Sequence, residues 1–392
     1  MPTTGRDPAE LLDVEPSHAV PRRIAEEAAA VAGVAIALYV IDLDGSGAVR
    51  IAGEASAFPE RIDAPLGIGP ELALDVLDEL GRLVADVLAG CEVVPLVVRD
   101  RALGFLVARH APDVDLRPFA VQAGRALELV SGYTDVVHSA RRHKEVQAAA
   151  EIQENLLPPR IARLEDAALA GGVLPGYEVG GDWFDHASNA EGVWLMVADA
   201  TGKGNVAAAL SSLGLGAARA ARRSGKGLAQ VATDIDATVR SLGDPERFLT
   251  LLLALWDPAD GELRWLSCGH PPPLVARADG TVEELRGSRT YPLGALDAGR
   301  AFASDRARLE PGDRLVLYSD GVSERRLDDG SFFGVDGIRA VLRRPGVEGA
   351  AATVRALQDA VIEASAGPMR DDATLLVLAR DRPRAAQGAQ DR

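Results

Sequence analysis

VGGDWFDHASNAEGVWLMVADATGKG, residues 179–204, decides how this chain is read. Two acids, Asp182 and Asp199, flank an apolar run. Val193, Leu195 and Val197 alternate with Trp194, Met196 and Ala198, so a strand here is buried on both faces. A buried strand that ends in Asp199 carries a carboxylate to the rim of a core. Charge is costly there unless it is paired, hydrogen-bonded or bound to a metal. A plainer role stays open for each acid, as a cap of the helix expected after Gly204, with Gly180 and Gly181 marking a turn.

Two further strand ends repeat the pattern. LVLYSDGVSE (315–324) is a buried strand closing on Asp320-Gly321, and MRDDATLLVL (369–378) sets Asp371 and Asp372 directly before a last strand. Gaps of 17, 121 and 51 residues separate Asp182, Asp199, Asp320 and Asp371, too wide for one local metal loop. Oxygen donors without soft ligands suit Mg²⁺ or Mn²⁺. Four acids brought together without a cation would repel one another and shift their protonation.

The motifs VGGDWFD, VADATGKG, SCGHPPPL, LVLYSDGVSE with DDGSFFG, and RDDATLLVL resemble, in order and spacing, those of SpoIIE-type phosphatases. These belong to the metal-dependent (PPM, 2C-like) protein phosphatases. IQENLLPP (152–159) is similar to the run-in of that family, and the resemblance spans about residues 150–381. It implies an α-β-β-α sandwich with two Mn²⁺ or Mg²⁺ ions at one end. It implies that Asp199 bridges the ions, that the backbone carbonyl of Ala200 is a ligand, and that Asp182, Asp320 and Asp371 complete the set. Asp371 is preferred to its neighbour Asp372.

The activity implied is hydrolysis of phosphoserine or phosphothreonine by a metal-activated water, without a protein nucleophile. The acid for the leaving alkoxide is unassigned, since Ala200 and Thr201 stand where some relatives carry His. Asp185 could orient water or serve a turn. Lys203 could contact phosphate at a helix start or be a solvated turn lysine. His270 could be catalytic or hold the turn before Pro271. The substrate implied is a phosphorylated STAS-type anti-sigma-factor antagonist. A docking scaffold without catalysis and a small-molecule phosphohydrolase are the alternatives, and the intact acids weigh against the first.

The N-terminal part is expected to be a separate α+β domain over residues 19–114, after a loose tail at 1–18. A helix at 20–32, a strand at 34–42, a helix at 70–90 and a hairpin from VVPLVVRDRALGFLVA resemble a GAF domain. That resemblance implies a sensory role, with or without a small-molecule ligand. Residues 115–158 read as one long linker helix. Phe119, Ala123, Ala126, Val130, Tyr133, Val137 and Ala140 follow a coiled-coil spacing, which predicts a homodimer through this stretch, with an amphipathic helix lying on one of the domains as the alternative. The phosphatase-like region is placed at 159–381 and a polar tail at 382–392.

Net charge is −16 over 392 residues, which argues against a nucleic-acid binder or a protein of anionic membrane surfaces. No stretch reaches the length of an apolar membrane span. Cys91 and Cys268 lie far apart and form no metal spacing. Two free thiols in a cytoplasmic protein are the expectation.

Overall fold

A computed structural model of the chain describes residues 7–143, 145–175, 181–287, 289–295 and 301–382. The chain divides into two compact units, Met1–Val146 and Gln147–Arg392.

In the first unit, α1 (Pro8–Val14) and α2 (Val20–Ala32) precede β1 (Ile36–Ile41), β2 (Gly47–Ala52), β3 (Arg61–Asp63) and β4 (Leu72–Ala73). Then follow α3 (Leu77–Val87), β5 (Glu92–Val98), β6 (Arg101–Ala108), α4 (Arg117–Ser131) and α5 (Val136–Ala140). The strands form one antiparallel sheet in the order β3-β2-β1-β6-β4, with β5 also on β6. Alternation along β1 sends Leu38 and Val40 into a core with α1, α2 and α4. Tyr39 and Ile41 go into a second core with α3, where Tyr39 stacks on Phe105. Both sheet faces are therefore covered, which is why β1 and β6 are buried throughout.

Two expectations for this region change. The stretch 70–90 begins as β4 and a 3-10 turn at Leu74–Val76, and its helix starts only at Leu77. The stretch 115–158 is not one helix. It is divided into α4, α5 and α6 (Ala148–Leu156), and Lys144 lies outside the described residues. Of the expected dimer seam, Ala123, Ala126, Val130 and Val137 are buried in the core of the first unit, with Phe119 and Ala140 packed against it. The spacing of three and four is that of any amphipathic helix lying on a domain. Tyr133 is the exception, exposed in the break that follows α4.

In the second unit, α6 leads into β7 (Ile161–Arg163), β8 (Ala167–Leu174), β9 (Trp183–Asn189), β10 (Gly192–Ala200), α7 (Gly204–Arg223) and α8 (Leu228–Arg240). β11 (Leu249–Trp256), β12 (Glu262–Cys268), β13 (Leu274–Ala276), β14 (Val282–Glu284), β15 (Arg289–Thr290), β16 (Asp305–Arg308) and β17 (Arg314–Tyr318) follow. The unit closes with α9 (Asp320–Ser323), α10 (Gly334–Leu342), α11 (Ala350–Glu363) and β18 (Ala373–Arg380). One sheet runs β15-β12-β11-β10-β9 with β16 on β12, and the other runs β14-β13-β17-β18-β8-β7. Val193, Leu195 and Val197 of β10 meet Leu315 and Leu317 of β17 and Leu376 and Leu378 of β18 between the sheets. The alternate residues Trp194, Met196 and Ala198 pack beneath α7 and α8. Helix α11 covers β8 and β18 on the outside of the other sheet.

Candidate metal centre

Strand periodicity decides where the acids go. On β10 the odd-numbered side chains face the opposite sheet, so Asp199 continues that row at the strand's end. Phe184, paired with Val197, faces the same way, and Asp182 lies two residues before it. Across the gap, Leu376 and Leu378 of β18 set the parity of Thr374 and Asp372, while Leu315 and Leu317 set that of Ser319. Asp320 then opens α9, and Asp371 stands one residue outside the inward row. Five carboxylates from both sheets thus converge at one end of the sandwich.

Asp182 is buried, and the hydroxyls of Ser319 and Thr374 face its carboxylate. Burial, then the charges of Asp199 and Asp372, push its pKa well above the ordinary carboxylate range. Asp199 is pushed up to about 7 by burial and by Asp320 and Asp371, and its carboxylate approaches that of Asp182 to hydrogen-bonding range. Asp320 is raised by burial and by Asp371. The strongest charges acting on these three groups are all carboxylates, an arrangement that calls for a cation.

The residues present fit divalent ions. Oδ2 of Asp182 is buried with no donor, the donor set is oxygen, and Gly181 brings the backbone close beneath Ala200. A Cβ on Gly181 would lie 2.5 Å from the Ala200 carbonyl oxygen. Among the described residues, no three of the strand-end carboxylates bring ligand atoms within 4.8 Å of one another.

Gln153, on α6, was not singled out by the sequence reading, although IQENLLPP contains it. Its Nε2 donates to the Asp182 carbonyl and to Oδ2 of Asp372, both at 2.8 Å. It therefore ties the acidic ends of the two sheets together. Asp372 is buried under this bond, whereas Asp371 is exposed, with its Oδ1 accepting from the Asp372 backbone N–H.

The remaining candidates fall in different places. Asp185 pairs with Met196 and so projects toward the helices, where Arg219 and Arg222 of α7 bind both its oxygens at 2.8 Å. It is neither in a turn nor on the inter-sheet face, and it holds α7 to β9. His270 is buried, with Nδ1 2.7 Å from the Thr250 hydroxyl and its carbonyl accepting from Ser267. Burial lowers its pKa to about 3, so it is neutral and serves the turn. The Thr201 hydroxyl accepts from the Phe248 N–H at 3.0 Å and is engaged in backbone bonding. Lys203 is exposed at the start of α7, and its Nζ donates to the Arg370 carbonyl at 3.4 Å. It lines a cleft of about 540 Å³ with Asp320, Asp371, Arg326, Phe332 and Arg370. Gly180 lies outside the described residues.

Residues 189–381 match the family described as Stage II sporulation protein E (SpoIIE). The phosphoserine phosphatase RsbU of Bacillus subtilis is 26% identical over 237 residues, covering 60% of this chain and 70% of that protein. Protein IcfG of Synechocystis is 24% identical over 218 residues, 48% of this chain and 34% of that protein. The solved RsbU and RsbW domains of Rv1364c from Mycobacterium tuberculosis are 26% identical with a TM-score of 0.49, covering 56% of this chain and 62% of theirs. The phosphatase domain of SpoIIE from Bacillus subtilis, solved with a fragment of its regulatory domain, is 19% identical with a TM-score of 0.48, covering 56% and 64%. By the family match over residues 189–381 and the likeness to RsbU, the second unit of this chain carries a SpoIIE-type phosphatase domain, homologous to RsbU and SpoIIE.

Proposed function

We propose that the chain is a divalent-metal-dependent protein serine/threonine phosphatase, with Asp182, Asp199, the Ala200 carbonyl, Asp320 and Asp371 holding two Mn²⁺ or Mg²⁺ ions. The observation that carries this is the convergence of acids from both sheets around the donorless Oδ2 of Asp182. Two cations held there would supply Lewis acidity toward phosphoryl oxygens and a nucleophilic water at neutral pH. Asp182 and Asp199 lie beside each other at the ends of the paired strands β9 and β10 and would position that charge. Gln153 holds the Asp182 backbone and orients the Asp372 carboxylate. Lys203, Arg326 and Arg370 line the adjoining cleft and would meet the phosphate.

A phosphorylated regulatory protein of the STAS-type antagonist class is the proposed substrate, supported by the likeness to RsbU. The first unit, read as GAF-like, is the proposed regulatory input, with or without a ligand. The test is turnover of p-nitrophenyl phosphate and of a serine-phosphorylated STAS protein, with Mn²⁺ and with EDTA. Metal-dependent turnover of both, lost in Asp199→Asn, is expected. Metal-independent turnover would overturn the mechanism, and turnover of the small ester alone would favour a small-molecule phosphohydrolase. Deleting residues 1–115 should change activity or metal affinity, and an unaltered enzyme would exclude regulation by that segment.

A further inference from the structure

The first unit carries a second group of ligand-type side chains, distinct from the strand-end carboxylates. The turn between β1 and β2 reads DLDGSG over residues 42–47. Acids stand at its first and third positions, a hydroxyl at the fifth and glycine at the sixth, the spacing of oxygen donors in hard-cation loops. Gly53 occupies the twelfth position, where such loops carry the acid that completes a calcium shell. A side chain from elsewhere takes part instead. One oxygen of Asp42, one of Asp44 and a ring nitrogen of His143 all lie within 4.8 Å of one another.

A second feature points to a ligand. The Asp42 side chain is fully buried, and its Oδ1 has no hydrogen-bond donor. The other oxygen, Oδ2, is occupied by the Arg61 guanidinium and by the Ser46 hydroxyl at 3.1 Å. Arg61, shared with Asp63 at 3.3 Å, offsets only part of the charge of Asp42 and Asp44, whose carboxylates approach to hydrogen-bonding range, and Oδ1 of Asp42 is left without a donor. Asp44 is held in place from the other side, its Oδ1 accepting from the Ser46 N–H at 3.2 Å. Its Oδ2 lies 3.3 Å from His143 Nε2. The backbone delivers His143 to the turn, because the Leu43 N–H donates to the Arg141 carbonyl at 3.0 Å.

We propose that Asp42, Asp44 and His143 form a binding site for a divalent transition-metal ion of the Zn²⁺ or Mn²⁺ kind. Two carboxylates with one imidazole are a donor set for such ions rather than for Ca²⁺ or Mg²⁺. Asp44 and His143 are exposed, so the remaining coordination positions open to water. The ion would fasten residues 141–143 onto the β1–β2 turn. His143 stands four residues before Gln147, where the second unit begins, so occupancy would fix the path by which the chain leaves the first unit.

The test uses the full-length protein, stripped with chelator and returned to saturating Mg²⁺ so that oxygen-only sites are filled. Calorimetric titration with Zn²⁺ should show one equivalent that is weakened at least tenfold in Asp44→Asn and in His143→Ala. Both changes are at exposed positions, and their metal-free melting temperatures should match that of the wild type. As a readout independent of any variant's folding, long-range ¹H–¹⁵N spectra of the wild-type histidines should show one imidazole shifting with the first Zn²⁺ equivalent. Equal Zn²⁺ stoichiometry and affinity in wild type and both variants, or imidazole signals unmoved by Zn²⁺, would overturn the proposal. Phosphatase turnover does not enter the readout, so this outcome is separate from that of the catalytic reading.

Discussion

Gly321 passes so close to Asp372 that a Cβ on it would lie 1.9 Å from the Asp372 carbonyl oxygen. The contact sets the start of α9 against the start of β18, and so the spacing of Asp320 from Asp371. Any side chain at position 321 must push these two elements apart. Gly321→Ala is therefore expected to lower turnover by about 100-fold, the cost of misplacing reacting groups by about 1 Å. Mn²⁺ affinity measured by calorimetry should fall with it. An unaltered enzyme would show that this spacing does not matter.

Removing charge from the acidic cluster should separate stability from activity. Without metal, Asp199→Asn relieves repulsion within a buried group of acids, so its melting temperature should exceed that of chelator-treated wild type. With Mn²⁺ the order should reverse, because the wild type gains a ligand that the variant has lost.

The same group sets a pH dependence. Asp199 titrates at about 7 when folded and at about 3.9 when unfolded. Between these values the folded chain holds a proton that the unfolded chain has released, so stability falls as pH rises, and the whole penalty is present above about 7. The melting temperature of chelator-treated protein should drop from pH 5.5 to pH 8 relative to the Mg²⁺-saturated protein. Asp199→Asn should flatten that difference.

His270 acts with the opposite sign. Its folded pKa of about 3 lies below the ordinary 6.5, so its contribution is complete above about 6.5 and is lost as pH falls toward 3. His270→Ala should destabilise the protein by about 2–4 kcal/mol at pH 7.5, through the lost bond to Thr250 and the lost packing. The gap to wild type in chemical denaturation should narrow at pH 5. A constant gap would assign the loss to packing alone.

Gln153→Ala leaves the Asp372 carboxylate and the Asp182 carbonyl without their shared donor. A loss of about 10-fold in Mn²⁺ affinity is expected, as for other groups that orient ligands. Gln153→Glu should be worse, since it adds a charge to the cluster. An affinity equal to wild type in both would remove Gln153 from the site.

Much of the second unit was legible because its strands follow a period of two and its acids end them. The core strands β10, β17 and β18 lie within a few residues of the bounds the sequence predicts. The sequence gives no strand signal for β8, which lies beside β18, because AALAGGVL has Val173 as its one β-branched residue, no aromatic and two glycines. Asp185 was misplaced because the sequence showed a Gly-rich turn nearby and gave no sign that arginines 34 and 37 residues later would claim it. The long linker failed for another reason. A seam spaced by three and four describes one apolar face, and the core of the first unit takes up that face as readily as a second helix would.

The bond from Gln153 to Asp372 spans 219 residues. It joins the first helix of the second unit to the start of its last strand, and that strand lies inside its sheet between β17 and β8. Contacts of such separation are the slowest to close. During synthesis the acidic cluster cannot assemble until β18 has cleared the ribosome and threaded between its neighbours. Until then Asp182 and Asp199 belong to an open half-sandwich, so a chain interrupted just before β18 carries most of the fold's mass and none of its proposed chemistry.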